Sequence, residues 1–143
     1  MKIQGIPVEG LNTVGQILAT NNVQFNLKET GTAIAVALIS THMAGAPVVD
    51  NRGRYEGFIN EFDVMRVLDE GKDLDTLTAE DIMRKDQLVV APATKITDAA
   101  KLMEEHHVVN LPVEQDGVVV YSVSRHDLLR ARVGLGVGMG LDP

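Results

Sequence analysis

The chain has no cysteine and no tryptophan. Without thiols, a disulfide framework, a thiol nucleophile and any cysteine-ligated zinc or iron–sulfur centre are excluded. Aromatic residues amount to 3% against a hydrophobic fraction of 45%, so a core must be built from Ala, Val, Leu, Ile and Met. That composition favours helices layered on small sheets over a sandwich with large aromatic anchors. Basic side chains are the scarcer sign: 13 Lys and Arg against 20 Asp and Glu leave a net charge of −7. No Lys/Arg run forms a local stripe, which argues against a nonspecific grip on nucleic acid. No apolar stretch approaches the roughly 18 residues that a membrane span needs. The start, MKIQGIPVEG, lacks an apolar core of signal-peptide length, and a cytoplasmic protein with no membrane role is the expectation. At 143 residues the chain suits one ordinary domain or two very small ones.

The chain is an internal duplication. Shifted by 65 positions, Thr13 falls on Thr78, Ile17 on Ile82, Thr32 on Thr97, Ala35 on Ala100, His42 on His107, Pro47 on Pro112 and Val48 on Val113. One residue is then lost in a turn. Shifted by 64, Gly53 falls on Gly117, Asp63 on Asp127 and Arg66 on Arg130.

Each copy opens with a short helix, over residues 12 to 19 in the first. Its counterpart carries Thr78 with Asp81 three residues on, the pattern of a capping box. Short apolar strands follow, Val23 to Leu27 and Leu88 to Ala91. Ile96, Ala99, Ala100 and Met103 then recur at helical spacing, and Ile34, Ala35, Leu38 and Ile39 make the matching stripe. Such stripes are core. Next come strands containing Pro47 and Pro112, then turns at Asn51 to Gly53 and Asp116 to Gly117. These turns reverse the chain into strands Arg54 to Ile59 and Val118 to Val123 as hairpins. A strand-to-helix corner closes each copy, GFINEFDVMR from Gly57 and YSVSRHDLLR from Tyr121. Each copy is therefore β-α-β-β-α behind a short helix. The predicted fold is α/β (α+β): two such units packed about a pseudo-twofold axis into one compact module. Expected boundaries are an extended lead-in over 1–10, units over 11–74 and 75–133, and a glycine-rich tail over 134–143.

The two corners are the candidate sites. The first N–H groups of a helix lack intrahelical partners and face outward at the positive end of its dipole, which suits a phosphate. A hydroxyl at Ser124 can donate to a phosphate oxygen, and a carboxylate at Asp127 can accept from paired ribose hydroxyls. Ser, Asn and Asp also serve as plain helix caps, and a single corner leaves both readings open.

Both copies resemble cystathionine β-synthase (CBS) domains, and the pair resembles a Bateman module. The matching pieces are AEDIM, LMEEHHVVNLPVEQDG and SRHDLL in the second copy, and VGQIL, GAPVVDNRGRYEGFI and NEFDVM in the first. The resemblance covers about residues 11 to 133. It implies a regulatory module that binds an adenosine nucleotide in clefts between the units, with S-adenosylmethionine or nucleic acid as rarer ligands, and that needs no cofactor. It also implies homodimerisation, for which the apolar helices near Ile17, Leu18, Met65, Leu68 and their twins could supply the contact, and a regulated enzyme or transporter as a further partner. The family's ligand signature places Ser124 at the phosphate and Asp127 at the ribose, but Tyr121 stands where glycine is usual. In the first copy Gly57 and Asp63 match and Asn60 replaces the hydroxyl. Arg125 after Ser124 brings a cation towards a phosphate, whereas Glu61 after Asn60 repels one, so the second cleft is preferred. Backbone groups of Val89, Val90 and Ala91 would read the base between apolar walls from Leu111 and Pro112. The parallels in the first copy are Gln24, Phe25 and Asn26 with Ala46 and Pro47.

His106 and His107 behind Glu104 and Glu105 lack the i, i+4 spacing of a metal-binding helix face. His42 and His107 instead stand where a helix ends, and histidine tolerates positive φ there. No nucleophile, base and orienting group come together, and Asp63 and Asp127 would face different clefts, so the chain reads as a sensor and not as an enzyme. The tail, alternating Gly with Val, Leu and Met, reads as a loose terminus or as an arm that packs on its own cleft or a partner.

Overall fold

The computed structural model describes residues 12–18 and 21–134, so the lead-in and most of the glycine-rich tail lie outside the described residues. The two helices with the strongest stripes form at equivalent positions, α1 over Gly31–Thr41 and α4 over Ile96–His106. Thr30 caps α1, its hydroxyl accepting the Ala33 N–H at 3.2 Å. Both helices end on the expected histidines in the left-handed region, His42 at φ +56° and His107 at φ +55°. There the N–H groups of Met43 and Val108 reach back to the carbonyls of Leu38 and Met103. Two otherwise orphaned carbonyls are thereby satisfied.

Residues 23–87 with Asp116–Val119 make one compact body. In it β1 (Phe25–Asn26) lies parallel to β2 (Gly45–Val49), which pairs antiparallel with β3 (Tyr55–Asn60) in the order β1-β2-β3. Gly53 closes the turn at φ +80°, a conformation with a steric penalty for any residue bearing a Cβ. β2 is buried along its whole length, including Pro47, which lies before the stretch that meets β1 and so has no ladder partner to deprive there. α2 (Glu61–Asp69) follows β3 directly. Ile34, Leu38, Val48 and Ile59 form the centre of this core. Ile39 does not join them: it is 71% exposed, because the buried stripe of α1 runs through Gly31, Ile34 and Leu38.

The second body gathers the described parts of Met1–Asn22, Leu88–Gln115 and Val120–Pro143. β4 (Asn110–Gln115) and β5 (Val118–Ser124) pair across the Asp116–Gly117 turn, and α5 (Arg125–Arg132) follows. The strand predicted over Leu88 to Ala91 reduces to one parallel bridge, Val90 to Val113, the equivalent of Phe25 to Val48. Its two bonds run from the Val90 N–H to the Pro112 carbonyl at 3.0 Å and from the Glu114 N–H to the Val90 carbonyl at 2.8 Å. Ile96, Ala99 and Met103 of α4 are buried as the stripe requires. Met103→Ala would cost about 2–5 kcal/mol through lost transfer energy and a cavity.

The short opening helices are exchanged between the bodies. The first copy's opening helix is a single 3-10 turn, Val14–Gln16, in place of the longer helix predicted over 12 to 19. It is held in the second body by bonds from Val14 and Gly15 N–H to the carbonyls of Thr94 and Pro92, at 2.9 and 2.8 Å. Val14 and Ile17 are core residues there, at 0% and 6% exposure. Ile17 is therefore no surface contact for a second copy. In the first body the same place is taken by α3 (Ala79–Ile82), with the Gly31 and Ala79 N–H groups bonded to the carbonyls of Leu77 and Glu29. The predicted bond between Thr78 and Asp81 is present at 2.9 Å. Packing thus joins each copy to the other's opening helix, so the compact bodies differ from the continuous runs expected over 11–74 and 75–133. Among the described residues no helix is long and apolar enough to cross a membrane.

Candidate functional site

In the second body β5 delivers Ser124 to the N-cap of α5. Its hydroxyl accepts the Asp127 N–H at 3.1 Å, and Asp127 Oδ2 accepts the Ser124 N–H at 2.8 Å. This is a reciprocal capping box. The Arg125 N–H goes to the Val109 carbonyl at 2.9 Å. Two of the N–H groups that a phosphate would want are thus occupied, and of these first three only that of His126 lacks a partner among the described residues. Asp127 itself is half-buried, and among the described residues it bonds through Oδ2, which leaves Oδ1 able to accept from a hydroxyl. The Ser124 hydroxyl uses a lone pair in the cap and keeps its proton to donate.

The matching corner of the first body has the same cap and a different outcome. Asn60 accepts the Asp63 N–H at 2.8 Å, and Asp63 Oδ2 accepts the Asn60 N–H at 2.9 Å. Asp63 is 2% exposed. Its Oδ1 accepts from Arg66 at 3.1 Å, and Arg84 Nε stands 3.7 Å from Oδ2. Both carboxylate oxygens are taken by groups of the same body. A ribose there would have to displace the cations from a buried carboxylate, which is unfavourable because the carboxylate has no water to replace them.

Other predicted site residues are placed as follows. Gly57 packs against protein: a Cβ on it would stand 2.6 Å from the Arg84 carbonyl oxygen and 2.7 Å from Met83 Sδ. Asn26 braces a loop, donating to Asn51 at 2.8 Å and accepting from the Lys28 N–H at 3.0 Å. Phe25, Ala46, Pro47, Val90, Leu111 and Pro112 are buried in their own cores and are not open walls. Val89 is half-buried, and Gln24 and Ala91 are exposed. Tyr121, in the glycine's place, is half-buried, and its hydroxyl donates to the Val14 carbonyl at 3.4 Å. Loss of water around that hydroxyl raises its pKa. Arg125 lines a groove between α4 and α5 whose walls include neither Ser124 nor Asp127; the phosphate role expected of it beside Ser124 is neither met nor excluded by this placement.

Sequence reasoning misses Arg84. It follows α3 in the second copy, and only the exchange of opening helices brings it to Asp63. It also lies 5.9 Å from the centre of the Phe58 ring. The position that repeats it, 65 residues earlier, is Ala19. Among the described residues no group of three or more His, Asp and Glu is arranged to hold a metal ion.

The family model described as the CBS domain matches the chain twice, over residues 14–70 and 79–134. Inosine-5'-monophosphate dehydrogenase of Bifidobacterium longum is 32% identical over 113 residues, covering 68% of this chain and 20% of that protein. The chain thus spans about a fifth of the length of that relative. Among solved structures, the CBS domain of a CBS domain containing membrane protein from Sphaerobacter thermophilus is 27% identical. Its TM-score is 0.70, over 87% of this chain and 89% of that one. CBSX2 in complex with AMP is 26% identical, with a TM-score of 0.73 over 83% and 94% of the two chains.

Proposed function

The chain belongs to the CBS-domain family, and on that premise we propose that it is a regulatory sensor and not an enzyme. It binds an adenosine nucleotide of the AMP, ADP and ATP class at the Ser124–Asp127 corner and passes its occupancy to another protein. A ligand acts this way by binding one conformation better than another, and a partner feels the shifted population. The observation that carries the reading is the contrast between the two aspartates. Asp127 keeps an oxygen for a ribose hydroxyl, whereas Asp63 spends both on Arg66, Arg84 and its own cap. The AMP complex of a relative 26% identical supports the nucleotide class. The module works as a pair of copies joined by its exposed apolar helices.

A second reading is a ligand-free interaction module. Its support is the cap itself, since Ser124 and Asp127 satisfy each other and Val109 takes the Arg125 N–H. Calorimetric titration with AMP, ADP, ATP and S-adenosylmethionine separates the two. The sensor reading expects saturable heat with an adenosine nucleotide, lost in Asp127→Ala and kept in a folded Asp63→Asn variant. No heat with any of the four establishes the interaction module instead.

A further inference from the structure

In the first body the segment that leaves α3 closes over the corner. The N–H and carbonyl of Phe58 exchange bonds with the carbonyl and N–H of Arg84, both at 2.9 Å. Met83 lies against Gly57 so closely that a Cβ there would stand 2.7 Å from its sulfur. Cross-strand partners put their side chains on one face, and Arg84 accordingly overlies the Phe58 ring and approaches Asp63.

The second copy has no room to repeat this packing, because Tyr121 stands where the first has Gly57. A contact that excludes a methyl group excludes a phenol. The tyrosine packs on the second core and donates to the Val14 carbonyl, while Leu18, the counterpart of Met83, is 53% exposed. The bond from β5 then falls two residues late. The repeat sets Ala19 opposite Ser122, as Arg84 is opposite Phe58, but the Ser122 N–H goes to the Asn21 carbonyl at 2.9 Å. A slip of one residue would turn the side chains to the other face, whereas a slip of two keeps the face and changes the residue. Asn21, 9% exposed, thereby takes the place of Arg84 in the ladder. Beside it the Ser122 hydroxyl, 2% exposed, has no hydrogen-bond partner among the described residues. A buried amide and a buried hydroxyl replace a guanidinium and a ring.

We infer that Asn21 is a further ligand contact of the Ser124–Asp127 corner, set there by Tyr121 acting as a wedge. The inference rests on the reading of that corner as a nucleotide site and adds a residue that selects the ligand. An amide carries no charge to hold the aspartate, and its polar atoms lie one bond nearer the backbone than the Nε of arginine. It stops short of Asp127, and the gap suits a ribose hydroxyl that donates to the carboxylate and accepts from the amide N–H. The site therefore favours ribose over deoxyribose.

The test is calorimetric titration of AMP and deoxy-AMP into the full chain, Asn21→Ala, Tyr121→Gly, Tyr121→Phe and the Asn21→Ala/Tyr121→Gly double variant. Circular dichroism checks that each is folded. Asn21→Ala and Tyr121→Gly should each bind AMP about tenfold more weakly and lose most of the parent's preference for AMP over deoxy-AMP. The double variant should bind no more weakly than Tyr121→Gly, since closing the segment already withdraws Asn21. Tyr121→Phe keeps the wedge and should bind as the parent does. An Asn21→Ala variant as tight as the parent overturns the contact, and losses that multiply in the double variant overturn the wedge. The wedge also has a readout without ligand. The chain lacks cysteine, so Leu18→Cys supplies a single thiol, and iodoacetamide should alkylate it more slowly when Tyr121→Gly lets the segment close; equal rates overturn the wedge. A parent chain that gives no heat with AMP overturns the nucleotide reading and the Asn21 contact together, while the alkylation rates still decide the wedge.

Discussion

Arg84 Nε lies 3.7 Å from Asp63 Oδ2, joining the end of the second copy's opening helix to the corner of the first. Asp63 is 2% exposed and Arg66 holds its other oxygen at 3.1 Å. The aspartate that the repeat offers to a ligand is thereby turned into a structural residue. Its twin, Asp127, shows a cap and no ion pair among the described residues.

The two aspartates should accordingly differ in stability. Asp63→Ala removes a cap and leaves Arg84 without its buried counter-ion, at a cost of about 2–4 kcal/mol. Asp127→Ala loses the cap alone, at about 1 kcal/mol. Urea unfolding measures both, and equal losses would show that the Arg84 contact contributes nothing.

Gly57 should be intolerant of even one methyl group. A Cβ there meets backbone at 2.6 Å and sulfur at 2.7 Å, so Gly57→Ala is expected to cost about 1–3 kcal/mol through overpacking. Tyr121 occupies the same position of the second copy and makes only a long bond to Val14. Tyr121→Phe is expected to change stability by less than about 1 kcal/mol. Thermal unfolding of the two variants gives the comparison, and a neutral Gly57→Ala refutes the close packing.

Alkaline pH should weaken the first body through Tyr55. Burial, and then its 2.6 Å hydrogen bond to Asp86, raise the Tyr55 pKa well above its ordinary value. The unfolded chain releases this proton near pH ~10 while the folded chain retains it. The stabilisation is thus complete below that pH and declines as pH rises past it. Tyr121, raised by burial, acts in the same direction. Unfolding free energies measured at intervals from about pH 9 to about pH 11 should fall, and Tyr55→Phe should flatten that fall. An unchanged slope in the variant sinks the assignment.

Much of the fold is legible without coordinates because it is local and written twice. The stripe of Ile96, Ala99 and Met103 fixes α4 and its buried face, and the matching alignment fixes α1. His42 and His107 announce left-handed helix ends, and Gly53 and Asp116–Gly117 announce turns. Even the capping boxes at Asn60 and Ser124 follow from residue type and spacing alone. The strands beside Val90 and Phe25 are overestimated because an apolar run carries no count of how many ladder bonds its neighbour can make. The stripe through Ile39 is misjudged because four apolar residues in sequence do not say where the buried arc stops.

The sequence by itself determined the duplication, the order of elements in each copy, the caps and turns, and the aspartate at each corner. These depend on contacts within a few residues, where side-chain type and period decide the outcome. Only the tertiary structure decided which opening helix completes which body, and with it the fate of each aspartate. Exchange of the opening helices carries Arg84 to Asp63 across some twenty positions that no local pattern spans. A buried carboxylate with two cations at hand takes them, whereas its half-buried twin shows only the cap among the described residues.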